Sequence, residues 1–285
     1  MNSLETKDEK LYLRPKLIEL SKEEEKKPLN SEELEKLFKE KFSFTDFKIS
    51  NLKYLTYYYY NSESIKDNQW GCAWRSLQTV LSYFLSIKGE LEKKDISFKN
   101  LFLNYGSRST LIDLFKKDYN ITDDKIPDYM NVPFSPFENK NGWAEPFISK
   151  LVLFDFGLKS QLILINNYPN QANAPKEVFQ KTVNFEEFVN ILEQYFNNEY
   201  SIPIILDDAR VSIIIAGIKV DEDFIYFIIL DPHIKLIEKA DTGIYYIKLN
   251  KNGNFDINEN TQKTILGSIL NFKTNNWMVL LPEKL

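Results

Sequence analysis

The 285 residues contain one cysteine and one histidine. A thiol–imidazole enzyme built from this chain therefore has to use Cys72 and His233. Cys72 stands in Asn68-Gln-Trp-Gly-Cys-Ala-Trp-Arg-Ser, directly ahead of a stretch with helical spacing. A thiol at a helix N-terminus meets unpaired N–H groups and the positive end of the helix dipole, both of which favour the nucleophilic thiolate. The same N–H groups can stabilise an oxyanion growing on a carbonyl under attack. Gly71 reads as room for close substrate approach. His233 stands in Ile229-Leu-Asp-Pro-His-Ile, at the end of an apolar run. On an extended chain residues i and i+2 share a face, so Asp231 is placed to accept a ring hydrogen bond and support the imidazolium. Pro232 cannot donate to a sheet ladder, which suits a strand end facing a cleft. Plainer readings stand beside these. A free cysteine is often a small buried hydrophobe, and Asp-Pro-His can be a turn in which Asp caps the backbone.

Other chemistries have less support. Serines are plentiful, but none lies in a G-x-S-x-G nucleophile elbow. Zinc sites generally draw on several Cys or His ligands, so neither a metal nor a cofactor is expected. A net charge of -5 gives no basic footprint for nucleic acid. The start, MNSLETKDEKLYLRPK, lacks the apolar region of a secretory signal. No run reaches the roughly 18 apolar residues of a membrane span, so direct membrane insertion is not expected. A lone cysteine forms no internal disulfide, in keeping with a reducing, cytoplasmic setting.

The elements that must position these residues follow from spacing. Residues 1–46 form a charged extension with KEEEKKP at 22–28, in which Ser31-Glu-Glu-Leu-Glu starts like a capped helix. Leu34, Leu37 and Phe38 give that helix a narrow apolar face, expected to pack weakly or to meet a recruitment partner. Residues 47–285 form the catalytic domain. Ile49–Tyr60 is crowded with aromatics and reads as one or two strands. In Ala73–Ile87, Leu77, Val80, Leu81 and Phe84 recur at i, i+3, i+4 and i+7, and Gly89 supplies the stop. Residues 90–141 mix short helical pieces with a loop punctuated by Pro127, Pro133 and Pro136. Helices are expected at 145–156 and 185–196. Strands are expected at 160–166, 202–207, 211–219, 224–230 and 276–281, with a hairpin near 244–256. Helices first and a sheet afterwards indicate an α+β fold.

Asp67-Asn-Gln-Trp-Gly-Cys-Ala-Trp-Arg-Ser-Leu-Gln-Thr, followed much later by Asp-Pro-His, resembles the cysteine proteases specific for the ubiquitin-fold modifier. Their hallmark runs Asp-Asn-Gly-Trp-Gly-Cys-Ala-Tyr-Arg-Ser-Leu-Gln-Thr. The likeness extends over roughly residues 54–285 and is strongest at the Cys motif. It implies a papain-like fold, with the nucleophile at a helix N-terminus facing a mostly antiparallel sheet. It implies a triad of Cys72, His233 and Asp231, with Tyr60, twelve residues before the cysteine, donating to the oxyanion. It also implies an activity: maturing the modifier precursor at its C-terminal Gly and releasing the modifier from conjugated proteins. A Gly-ending tail is then expected to thread past Trp70. Tyr57, Tyr58 and Tyr59 read as plain aromatic packing.

The sequence departs from the family at several places. Gln69 replaces a Gly, Trp74 replaces a Tyr, and a Gly-rich stretch becomes Asp207-Asp208-Ala209, whose two carboxylates are expected to bias the groove toward a basic substrate surface. A family His outside the triad is matched by Ile213. Gly142-Trp143 resembles a Trp/Gly element loosely. The chain reads as closer to the family's short form, with an added helical extension. Two other readings remain: an autophagin-type protease, which shares Gly-Trp-Gly-Cys and Asp-Pro-His, and a pseudoenzyme that binds the modifier without cutting it.

Overall fold

A computed structural model describes residues 26–42, 46–68, 70–126, 135–138, 142, 144–165, 179–208, 210–233, 243–254 and 277–283. Residues 1–25, Gln69, Pro127, Pro133, Trp143, Ala209 and the second arm of the expected 244–256 hairpin lie outside them.

The first helix, α1 (Ser31–Lys41), is capped by Asn30 rather than Ser31. The Asn30 side chain accepts from the Glu33 amide, and Glu33 reaches back to the Asn30 amide. Its apolar face is not a weakly packed one. Leu34 and Phe38 are fully buried in the same hydrophobic cluster as the helices that follow.

The next segment departs from expectation. Only Lys48–Ile49 (β1) pairs with the sheet, and Leu52–Tyr54 is a single 3-10 turn. The amides of Thr56 and Tyr58 bond side-chain oxygens of Ser82 and Thr79, and Tyr57 makes an isolated antiparallel bridge with Leu29. Aromatic residues here serve packing and anchoring, not a ladder.

Helix α2 (Cys72–Lys88) runs through the centre with almost every residue from Ala73 to Leu85 buried. It ends at Gly89, whose φ of 65° places it in the left-handed region that glycine tolerates. Helices α3 (Phe98–Tyr105), α4 (Arg108–Tyr119) and α5 (Pro146–Asp155) pack around it. The sheet follows, with β2 (Ser160–Ile165), β3 (Lys181–Val183), β4 (Ile204–Asp207), β5 (Ser212–Val220), β6 (Phe224–Leu230), β7 (Ile244–Asn250) and β8 (Trp277–Pro282). Strand order is β3-β2-β8-β4-β5-β6-β7, with β1 also pairing β5. Among the described strand pairings only β2–β3 is parallel.

Both faces of the sheet are covered, which is why its strands read as unbroken apolar runs. Ile214, Ala216, Ile228 and Leu230 face α1–α5. Ile213, Ile215, Phe227 and Ile229 face the other side, where α6 (Phe185–Tyr195) lies. A bulge between Ile215 and Gly217 bends β5 there. A Cβ on Gly217 would fall 2.6 Å from Ile49 Cγ2, so glycine is what lets β1 approach. Among the described residues no helix is long and apolar enough to cross a membrane.

Candidate active site

Cys72 is the first residue of α2 and is partly exposed. The preceding Gly71 is the N-cap and offers no side-chain cap, so the first-turn N–H groups are free of that competitor beside the sulfur. The space at Gly71 is not left for substrate. A Cβ there would lie 2.3 Å from Asp67 Oδ2, so the missing side chain makes room for the Asp67 carboxylate. Gly71 N–H in turn donates to the Asp67 carbonyl at 2.8 Å.

His233 reaches the thiol from the sheet. Strand β6 ends at Leu230, one residue before Asp231, whose amide extends the ladder to the Gly243 carbonyl at 2.8 Å. Asp231 and His233 meet through a turn rather than a continued pleat. One carboxylate oxygen of Asp231, Oδ1, accepts the His233 amide at 2.9 Å and lies 2.6 Å from ring Nδ1. The capping turn and the base–orienter pair are therefore the same structure. With Nδ1 given to Asp231, Nε2 is the nitrogen left to serve Cys72, with which the ring hydrogen-bonds. Burial pulls the imidazole pKa down, but the Asp231 charge and hydrogen bond, with those of Cys72, raise it to about 10. The imidazolium is thus the resting form at neutral pH.

Two tyrosines hold this turn, and neither was marked by the sequence. Tyr245 Oη donates to Asp231 Oδ2 at 2.9 Å, and Tyr57 Oη donates to the Asp231 carbonyl at 2.5 Å. Tyr245 arrives from β7 because Leu230 pairs with Ile244. Only that register brings them together.

Tyr60 completes the cluster. Its amide donates to the Pro232 carbonyl at 3.0 Å, and its ring meets the His233 ring edge-on with centroids 5.2 Å apart. Burial first, then the charge and hydrogen bond of Cys72, then Asp67 and Asp231, push its phenol well above the ordinary value. The hydroxyl stays protonated and is a donor beside the sulfur. The structure thus gathers Cys72, His233, Asp231 and Tyr60 from positions as far apart as 60 and 233.

The departures from the family pattern divide. Asp207 and Asp208 do not dress a groove. Asp207 is buried, while the Asp208 carboxylate, 1% exposed, pairs with Arg210 and accepts the amides of Arg210 and Val211. Asp208 is spent on the β4–β5 turn because a tight hairpin needs its amides capped. Trp74 is wholly buried and donates to the Gly142 carbonyl at 3.1 Å. Ile213 lies on the α6 side of the sheet, away from the thiol. Trp70 packs its ring edge-on to Phe98 and Phe102, making an aromatic wall just before Cys72. Among the described residues no group of three or more His, Cys, Asp or Glu side chains could hold a metal ion.

The model of Peptidase family C78 matches residues 47–119, the segment that carries Tyr60 and Cys72. That segment is similar to peptidase family C78. Two rodent relatives match over 180 residues: Ufm1-specific protease 2 of Rattus norvegicus at 25% identity and of Mus musculus at 24%. Each alignment covers 62% of this chain and 31% of the relative, so the chain spans about a third of the length of the curated relatives it matches. The crystal structure of UfSP from C. elegans aligns over 87% of this chain and 36% of its own, with a TM-score of 0.50 and 16% identity. That likeness speaks for the fold, and the α+β, papain-like expectation stands.

Proposed function

We propose that the chain is a thiol peptidase that trims the C-terminus of a ubiquitin-fold modifier precursor and releases the modifier from conjugated proteins, acting in the cytoplasm. The observation that carries this is the contact of Cys72, at the open end of α2, with an imidazolium oriented by Asp231. In this reading the Cys72 thiolate attacks the carbonyl carbon of the modifier's terminal Gly. The carbonyl oxygen takes the negative charge and is stabilised by the Tyr60 hydroxyl and the Cys72 N–H. His233 gives its Nε2 proton to the leaving amine as the C–N bond breaks, leaving a thioester and a neutral imidazole. The imidazole then takes a proton from water, which attacks the thioester and releases the free carboxyl, restoring the thiolate and the imidazolium. Release of a peptide amine and of a lysine amine are the same chemistry at this site.

The modifier is inferred from the names of the rodent relatives and from the Cys motif. The test is cleavage of the full modifier precursor, of its C-terminal peptide, and labelling by propargyl probes of this modifier, ubiquitin and the autophagy modifier. Efficient cleavage of the full precursor, with weak cleavage of the bare peptide, supports the reading. Preferential labelling by the autophagy probe would point to an autophagin-type enzyme, and labelling by none to a binding protein without turnover.

A further inference from the structure

Tyr60 and Cys72 belong to one connected stretch of chain, and what fixes their spacing is a buried charge network. Arg75, one turn into α2, is wholly buried. Its Nε donates to Asp67 Oδ2 at 2.7 Å, Nη1 to Glu63 Oε2 at 2.5 Å and to Gln78 Oε1 at 3.0 Å, and Nη2 to the Ser62 carbonyl at 2.7 Å. Its guanidinium also lies over the Phe98 ring, 4.5 Å from the centroid. Asp67, equally buried, uses Oδ1 to accept the Asn61 amide at 2.7 Å. Glu63 Oε2 further accepts from Gln78 Nε2 at 2.9 Å and from the Phe98 amide at 3.3 Å.

The network grips residues 61, 62 and 63, immediately after Tyr60. That stretch does not hold itself. Asn61, Glu63 and Ser64 have φ of 62°, 63° and 56°, a region that Glu and Ser rarely occupy unless their surroundings impose it. At its other end the network meets the residue before Cys72, through Asp67 under Gly71. Arg75 is also on the nucleophile's own helix. A planar, always charged guanidinium with a fixed fork of donors is the side chain that can tie three loop groups to one helix turn.

We infer that Arg75, with Asp67 and Glu63, is a positioning network that sets the Tyr60 hydroxyl against Cys72, fixing the oxyanion site rather than merely the fold. This rests on the peptidase reading above, in which Tyr60 serves the oxyanion. The hydrogen bonds of the network run to the loop and to α2, so it positions Tyr60 through the loop, with the Asp67 charge also felt at the phenol. Removing the Asp67 charge should let the 61–64 turn relax toward ordinary backbone conformations and carry Tyr60 away from the sulfur.

The experiment is a double-mutant cycle between Asp67→Asn and Tyr60→Phe in the full-length protein. Glu63→Gln, at a side chain 23% exposed, provides a second cycle that perturbs the fold less. Two readouts are used: precursor cleavage, split into kcat and KM, and the rate at which iodoacetamide alkylates Cys72. Asp67→Asn and Glu63→Gln should each lower kcat, roughly tenfold for Asp67→Asn, with KM little changed. In the Tyr60→Phe background either change should cost less than about twofold, because the hydroxyl it positions is gone. The alkylation rate should show the same non-additivity. Losses that multiply independently of Tyr60 in both cycles, or changes confined to KM, would overturn the inference while leaving the peptidase reading intact. Absent cleavage by wild type alongside a non-additive alkylation cycle would sink the peptidase reading and keep the positioning network.

Discussion

The protein has one histidine, so the protonation of its candidate base can be watched without assignment ambiguity. The perturbation is Asp231→Asn, which keeps the size of the side chain and an acceptor oxygen while removing the charge. In the folded protein burial lowers the His233 pKa, and the Asp231 charge is the leading influence that lifts it to about 10. Without that charge, burial still acts while the largest upward influence is gone, so the ring should titrate well below the wild-type value. Each unit of displacement is worth about 1.4 kcal/mol of preference for the imidazolium. At pH 8 nearly all wild-type molecules should hold the proton, and in the variant that share should fall, and with it the population carrying the proton for the leaving amine. The assay is NMR of the imidazole ring from pH 5 to 11 on protein free of any histidine tag. Circular dichroism on the same samples monitors the fold. A wild-type ring titrating near 6.5, or an Asp231→Asn ring still titrating near 10, would refute the reasoning.

Three further outcomes are expected. The His233 contribution to stability should be fully present below the unfolded pKa of about 6.5 and lost as pH rises through the folded value near 10. The melting-temperature difference between wild type and Asp231→Asn should therefore shrink across that window, and a flat difference would contradict the ion pair. Tyr60→Phe should lower kcat about 100-fold, the scale of one lost oxyanion donor, whereas Tyr58→Phe should change it only a few-fold; equal losses would assign the tyrosine run to packing. Phe38→Ala should cost about 3–5 kcal/mol in urea unfolding if α1 is part of the core, and a cost under about 1 kcal/mol would make it an appendage.

Local signals carried far in this sequence. The apolar spacing of Leu77, Val80, Leu81 and Phe84 with Gly89 marked α2 to within a residue at each end, and β6 was readable as one apolar run. Cys72 and His233 stood out because each is the only residue of its type. What the sequence hid depends on pairing between distant segments. Tyr245 meets Asp231 only because β6 and β7 pair in one register. Tyr57–Tyr60 looked like a strand because aromatics favour sheets, yet their partners are the side chains of α2, the extension and the Asp-Pro-His turn. Asp207 and Asp208 looked like surface charge because local composition does not show that Arg210 folds back onto the turn. Gly71 looked like space for a ligand because the carboxylate that fills it comes from a loop rather than a periodic element.

Cys72 and His233, the candidate nucleophile and base, lie 161 positions apart. During synthesis the cysteine, its helix and Tyr60 leave the ribosome long before Asp231 and His233 are made. The early half therefore carries the thiol with no imidazole to pair with. It gains its reactive character only when β6 joins the sheet and the Tyr57 and Tyr60 segment closes onto the Asp231 and Pro232 carbonyls. Because both bonds span most of the chain, local opening of the sheet end would separate thiol and base again. A nascent or damaged copy would then be disarmed with no inhibitor present.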